Sequence, residues 1–304
     1  MKDILFLVGP TAVGKTEASL HLAKLIKAEI ISCDSMQVYK GMDIGTQKPT
    51  RAQQRKIPHH MIDIIAPSRN FSVSEFRKKA LDYIKKIHRK RKIPLFVGGT
   101  ALYMKVLIDG LFPSPPTDRA LRSSLLKEEK LNGAGSLYKM LLKVDQKTAN
   151  LLHPNDTRRI IRALEIYMKT GSPMSELKKK TKGLEGLYNI KIFCLNRNRG
   201  SLYRRIESRV DKIFRDGLIR ECRRLKKRRL STTARQGLGY KEVFDYLDSK
   251  ATLRDTRKLI KKRTRNFAKR QLSWFRNDKR IVWIDIDRKR AEKIAEIIAE
   301  LIKG

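Results

Sequence analysis

The sequence predicts an α/β fold, a parallel β-sheet flanked by helices and carrying a helical insertion. Three observations predict it. The chain opens on a short apolar run, Ile4 to Val8, that passes through a glycine loop straight into a helical pattern. Apolar runs then alternate with helix-period segments, the order that sets parallel strands between covering helices. A proline-rich stretch, Phe112 to Thr117, is followed by a long segment of purely helical pattern before the next apolar run at 190–195.

The glycine loop reads Gly9-Pro10-Thr11-Ala12-Val13-Gly14-Lys15-Thr16, the spacing G-x-x-x-x-G-K-[ST]. Between a strand and a helix, that spacing makes a phosphate-binding loop and a P-loop NTPase-like sheet. The glycines let backbone N–H groups converge on an anion at a helix N-terminus. Lys15 brings positive charge to the terminal phosphate, and the Thr16 hydroxyl is a ligand for Mg²⁺. The loop is therefore of the nucleotide-binding type, and a di- or triphosphate is its expected ligand.

Residues 17–27 continue as a helix with Ala18, Leu22 and Leu25 inward. Residues 29–32 form a second strand ending at Cys33-Asp34-Ser35. The stretch 36–46 has two glycines and little periodicity and reads as loop or short turns. A short strand is expected at 61–65, a helix at 74–89, a strand at 94–97 and a helix at 102–107. Beyond the prolines, helices are expected at 118–130, 137–144 and 157–169, the last capped by Asp156 and stopped at Gly171. Residues 178–186 read as loop. The strand at 190–195 returns to the sheet, helices follow at 202–215, 218–225, near 240–247 and 253–274, and the chain closes with a strand at 281–286 and a helix at 288–303. The predicted organisation is a catalytic core of residues 1–116 and 190–304 with an insertion at 117–189, of which about 154–170 is expected to pack on the core.

Composition narrows the partners. Lys and Arg number 70 against 31 Asp and Glu in 304 residues, a formal net charge of +39. Nucleic acid is the polyanion that most directly accounts for it, with host-wide composition or solubility as the plain alternatives. Cys33, Cys194 and Cys222 have neither metal-ligand spacing nor a disulfide framework, so a reducing compartment is expected. The apolar run begins at Ile4, so no leader peptide is expected. No apolar stretch has membrane-spanning length, and no membrane partner is expected.

Asp34 falls just past the second strand, at the sheet edge where such folds bind ligands. A carboxylate there suits proton abstraction from a nucleophile or orientation of Mg²⁺ through water, with a turn cap as the structural alternative. Ser35 and Gln37 are placed to bond a polar substrate or to hold their loop. Thr11 is free to meet phosphate or acceptor, and Thr100 follows two glycines at the same edge. Arg158, Arg159, Arg162, Arg205 and Arg209 lie on helical faces, suited to phosphate contacts or to plain solvation.

These segments, taken together, resemble the tRNA dimethylallyltransferases, also called tRNA isopentenyltransferases. The phosphate loop 9–16 matches the family's opening motif. Ser32-Cys33-Asp34-Ser35-Met36-Gln37-Val38-Tyr39-Lys40-Gly41-Met42-Asp43-Ile44-Gly45-Thr46 matches its most distinctive block. Val97-Gly98-Gly99-Thr100-Ala101-Leu102-Tyr103 and His153-Pro154-Asn155-Asp156, with Arg158-Arg159 and Arg162-Ala163-Leu164-Glu165, match the next two. Gly239-Tyr240-Lys241-Glu242 and the run Thr264 to Phe275 also fit, so the resemblance spans nearly the whole chain.

The resemblance implies transfer of a dimethylallyl group from dimethylallyl diphosphate to N6 of the adenosine 3′ of the anticodon, position 37 of tRNA. It implies Asp34 as general base and Thr11 as a positioning group. Gly9 to Thr16, with Mg²⁺ on Thr16, would hold the diphosphate. Arg205 and Arg209 would bind diphosphate or tRNA backbone. Asp34, Ser35, Met36, Gln37 and Thr100 would meet the adenosine and its neighbours, and Arg158, Arg159, Ile160, Ile161 and Arg162 would form a tRNA-contacting segment of the anticodon stem-loop site. A cytoplasmic monomer is expected. Two other readings share the loop: a small-molecule kinase using ATP, which leaves the charge unexplained, and a nucleic-acid-binding NTPase, which lacks a Walker-B carboxylate because Phe96-Val97 leads to Gly98-Gly99-Thr100.

Overall fold

A computed structural model describes residues 1–303. In chain order its elements are β1 (Asp3–Val8), α1 (Lys15–Leu25), β2 (Ala28–Cys33), α2 (Arg51–Lys56), β3 (His59–His60), α3 (Val73–Arg89), β4 (Ile93–Gly98) and α4 (Ala101–Ile108). Five helices follow: α5 (Arg119–Leu131), α6 (Ser136–Val144), α7 (Gln146–Ala149), α8 (Thr157–Thr170) and α9 (Met174–Lys179). The chain then runs through β5 (Asn189–Asn196), α10 (Arg199–Arg215), α11 (Leu218–Lys226), α12 (Thr232–Arg235), α13 (Tyr240–Leu247), α14 (Leu253–Arg276), β6 (Ile281–Asp285) and α15 (Ala291–Lys303).

The six strands form one sheet in the order β3-β2-β4-β1-β5-β6, with every pair parallel. The expected α/β architecture is present. Alternation along β1 shows why both faces are covered. Leu5 and Leu7 enter one core with residues of α1, α10, α14 and α15, while Phe6 stacks on Phe96 at 4.8 Å on the other face. Because the strands are parallel, the loops after β1, β2, β4 and β5 all leave at one edge.

The expected strand at 61–65 is corrected. Met61 and Asp63 have φ of 65° and 54°, which an extended strand excludes. Pairing occurs instead at His59–His60, and only Ile65 bridges to Tyr39. Helix α2 was hidden in a basic run, yet its capping box is complete: Thr50 Oγ1 accepts from Gln53 N–H and the Gln53 side chain accepts from Thr50 N–H. The segment 178–186 is helical at its start, where α9 ends at Lys179. The adjacent histidines diverge as a strand requires: His60 Nε2 meets the buried Glu29 carboxylate at 2.8 Å, and His59 Nδ1 meets Ile57 O at 2.7 Å.

The chain divides into two units, residues Met1–Val106 with Glu185–Gly304, and Leu107–Leu184. The second unit begins before the prolines rather than at 117. Its entering and leaving chains are tied together early, where Leu184 N–H donates to the Leu107 and Ile108 carbonyls at 3.0 Å. Gly183 lets them meet, since a Cβ there would lie 1.9 Å from Ile108 O. Within the helical unit, α8, from the segment 154–170, is the centre of the unit's own core. Its Ile160, Ile161 and Leu164 pack with Leu125 of α5 and Leu137 and Leu141 of α6. Beneath that core Glu165 is fully buried and accepts from Asp118 N–H, Arg122 and Arg162. Burial alone would raise Glu165; those donors outweigh it and hold the carboxyl at about 2.

Candidate active site

The phosphate loop is shaped by backbone that only certain residues adopt. Gly9 and Gly14 have φ of 143° and 118°, and a Cβ on Gly9 would sit 2.8 Å from Leu195 O of β5. Ala12 is left-handed too, at 64°. Two arginines brace the loop from behind: Arg205 Nε donates to Ala12 O and Arg197 Nε to Val13 O, each at 3.0 Å. Lys15 Nζ lies across the loop, donating to the Gly9 carbonyl at 2.9 Å and that of Pro10 at 2.8 Å. Burial, then the Arg209 guanidinium, push the Lys15 ammonium down to about 8 against the pull of Asp34. Arg209 is pushed down by burial and pulled up by Asp34. Lys15, Arg209 and Asp34 are thus close enough to feel one another, and all three line a cleft of about 1440 Å³ at the loop edge of the sheet.

Asp34 follows β2 directly. Its Oδ1 accepts from Met36 N–H at 2.8 Å and Gln37 N–H at 3.4 Å, an Asx turn that fixes the carboxyl plane. Oδ2 has no partner among the described residues. The turn-cap reading and the proton-acceptor reading are therefore compatible, one oxygen for each. Thr100 supports the same corner: its hydroxyl accepts from Ser35 N–H at 3.2 Å and its own N–H donates to Cys33 O at 3.1 Å. Ser32 Oγ donates to Gln37 Oε1 at 2.8 Å. Met36 lines the cleft with Ser35 and Gln37.

Three supporting residues escaped sequence reasoning. Glu221 of α11, 5% exposed, accepts from the N–H groups of Asp43, Ile44 and Gly45 and from the Tyr240 hydroxyl at 2.7 Å. It fastens the loop after Asp34 to the C-terminal helices. Gln271 of α14 accepts from Thr11 N–H at 2.9 Å and donates to Gly99 O at 2.8 Å. Arg197, already placed behind the loop, completes the set. A signal existed for Arg197, which lies just past the strand at 190–195 on the edge that bears the phosphate loop. Glu221 carries no local signal, since its partners lie far away in sequence; Gln271 lies in the run Thr264 to Phe275 that carries the family resemblance, which marks the segment but not the partners of this side chain.

The arginines of the helical unit separate by burial. Arg158 and Arg159 are exposed on α8, Arg159 pairing with Asp156 at 3.1 Å. Ile160 and Ile161 are core, 1% and 5% exposed, so their side chains offer no surface to a partner. Arg162 is held by Glu165, Ser114 Oγ and Pro115 O, which commits it to the unit's own structure.

No group of three or more His, Cys, Asp or Glu able to hold a metal occurs among the described residues. The hard oxygens present, the Thr16 hydroxyl and the Asp34 carboxylate, suit Mg²⁺ where substrate phosphates supply most of the ligands. The donor set fits that ion. No helix among the described residues is long and apolar enough to cross a membrane.

A phosphate loop with two cations and a carboxylate at one sheet edge defines a group-transfer enzyme on the P-loop scaffold, with a phosphate-bearing leaving group. Residues 37–278 match the family described as IPP transferase, and residues 2–70 the family described as isopentenyl transferase. The tRNA dimethylallyltransferase of Carboxydothermus hydrogenoformans is 46% identical over 299 residues, 98% of this chain and 96% of that protein. The crystal structure of the full-length tRNA isopentenylpyrophosphate transferase from Bacillus halodurans aligns with a TM-score of 0.74 at 41% identity, covering 100% of this chain and 96% of that one. A eukaryotic dimethylallyltransferase, captured acting on tRNA, aligns at 0.82 and 30% identity over 100% of this chain and 80% of that one. The chain belongs to the IPP transferase family, the tRNA dimethylallyltransferases. It is an enzyme, and its family implies catalysis that depends on Mg²⁺. That membership sets aside the kinase and NTPase readings.

Proposed function

We propose that this enzyme transfers a dimethylallyl group from dimethylallyl diphosphate to N6 of adenosine 37 in tRNA, releasing diphosphate, with Asp34 as the base. The observation that carries the assignment of roles is the Asp34 carboxyl, which is pinned through Oδ1 and open at Oδ2 beside Lys15 and Arg209. An adenine amine is a weak nucleophile because its lone pair is delocalised into the ring. Two aids are therefore needed at once. Oδ2 of Asp34 takes the N6 proton as the new N–C bond forms. Lys15, Arg209 and the N–H groups of Gly14, Lys15 and Thr16 at the start of α1 receive the charge that grows on diphosphate as the allylic C–O bond breaks. The Thr16 hydroxyl would hold Mg²⁺, which would supply further neutralisation of charge at that leaving group.

The allylic carbon carries partial positive charge in this step, so water must be excluded. An adenine seated beside Asp34 displaces water from the reacting corner of the cleft, and a base in a single-stranded loop costs little to extrude. Ser35, Gln37 and Thr100 border Asp34 and are the groups placed to orient it. Arg205, braced on the loop through Nε, keeps its terminal nitrogens for diphosphate. Arg158 and Arg159 supply backbone contacts to the anticodon stem-loop. Three buried unpaired cysteines support a reducing cytoplasm.

The test is product analysis. Incubation with Mg²⁺, dimethylallyl diphosphate and unmodified tRNA, followed by nucleoside mass measurement, is expected to show adenosine heavier by one dimethylallyl unit at position 37. Absence of that nucleoside with fully folded enzyme would falsify the reaction assigned.

A further inference from the structure

We infer that Gln271 is a positioning residue for the transfer, an amide clamp that sets the spacing between the donor loop and the acceptor corner; the inference rests on the function proposed above. The clamp has two jaws. Oε1 accepts from the N–H of Thr11, inside the phosphate loop, at 2.9 Å. Nε2 donates to the carbonyl of Gly99 at 2.8 Å. Gly99 directly precedes Thr100, whose hydroxyl holds Ser35 N–H beside Asp34. One side chain of α14 therefore spans from the loop that holds the diphosphate to the turn that holds the base.

The chemistry of the side chain matches the task. Joining an N–H on one side to a C=O on the other needs an acceptor and a donor on one rigid plane. Gln has both, Glu at neutral pH has only acceptors, and Met has neither in useful strength. The site is also built around the amide. Gly99 does not have a left-handed φ, so its backbone does not demand glycine. Space does: a Cβ there would lie 2.1 Å from Gln271 Nε2. Gln271 is 7% exposed and borders the cleft. The strand ladder already pairs Val8 with Gly98, the residues just before the two loops, and the Gln271 amide carries that tie past the end of the ladder to Thr11 and Gly99. Transfer requires N6 and the allylic carbon at near-contact distance, and a misplacement near 1 Å costs about a hundredfold in rate.

Gly99→Ala is the decisive variant. Its methyl group displaces the Gln271 amide, the far end of a flexible side chain, and lies 3.3 Å from the Gly9 carbonyl, a contact relieved by a small shift, so the fold is kept while the clamp opens. Steady-state kinetics are expected to show kcat reduced about tenfold or more, with KM for tRNA and for dimethylallyl diphosphate changed less than about twofold and the melting temperature close to wild type. Gln271→Met is expected to behave alike. In Gln271→Ala the amide is gone, so adding Gly99→Ala should cost nothing more. Wild-type kcat in Gly99→Ala or Gln271→Met overturns the proposal, as does a loss confined to KM, or a double variant whose losses multiply. If one variant fails to fold, the other decides. Wild-type enzyme assayed alongside separates the two levels: no dimethylallyl product from it overturns the underlying reaction, whereas normal product with normal variants overturns the clamp alone.

Discussion

Asp34 divides its carboxyl between structure and chemistry. Asn keeps an Oδ1 acceptor for Met36 and Gln37 N–H, so Asp34→Asn leaves the turn intact and removes only the base. Its single-turnover rate should fall about 10²- to 10⁴-fold, with tRNA affinity unchanged within about twofold. Equal losses in rate and tRNA affinity would point to a collapsed turn instead. Lys15 gives a pH-dependent readout. With its ammonium held at about 8, it loses its proton as pH rises through that value, and a neutral amine attracts diphosphate poorly. The affinity for inorganic diphosphate, measured calorimetrically, should decline above pH ~8, by at most about tenfold per pH unit for one proton. Lys15→Arg should flatten that decline, because guanidinium stays charged throughout.

Among the elements, α11 has the least obvious role. Helix α11 is basic on its outer side, yet its buried Glu221 carries the amides of residues 43–45. Gly45 allows that approach, because a Cβ there would meet the Tyr240 ring at 2.6 Å. Removing the carboxylate strands three N–H groups and the Tyr240 hydroxyl at once. Glu221→Ala should destabilise the protein by about 2 kcal/mol or more in urea titration. Hydrogen exchange should localise the damage, with the Asp43, Ile44 and Gly45 amides exchanging faster than those of β1. Unchanged protection at those three would show that other contacts hold the loop. Helix α8 makes the opposite lesson visible within one element. Its sequence presents five residues in a row that the family resemblance groups as tRNA-contacting, and burial sorts them: Arg158 and Arg159 face solvent, Ile160 and Ile161 face the core, and Arg162 is bound to Glu165.

At the scale of the molecule, charge is the dominant fact. A net +39 draws any nucleic acid, so specificity has to come from the few groups at the cleft and the background attraction has to be sensitive to salt. The slope of log Kd for tRNA against log salt should be steep. It should drop by about one for each of Arg158→Ala and Arg159→Ala if each contacts a phosphate. Ile160→Ala should leave the slope alone and instead cost about 2–5 kcal/mol of stability, the price of a core cavity. A slope unaltered by both arginine changes would remove that segment from the interface.

Much of this protein was legible in its residues alone. The phosphate loop, the strand–helix alternation and Asp34 at the edge of β2 are local features: glycine spacing, apolar period and turn chemistry each act over a few neighbours, so a linear reading finds them. The family blocks extend that reach along the chain. Tertiary structure decided what depends on distant partners. The insertion begins at Leu107 because its two crossing chains hydrogen-bond there, not because prolines follow. The strand at 61–65 gave way to His59–His60 because two left-handed residues break the extended run. Gln271 and Glu221 became parts of the site through partners 172 and 177 residues away, at Gly99 and Ile44. A side chain that pairs across such distances leaves no periodic or spacing signal, because its geometry exists only once the sheet has brought the loops to one edge.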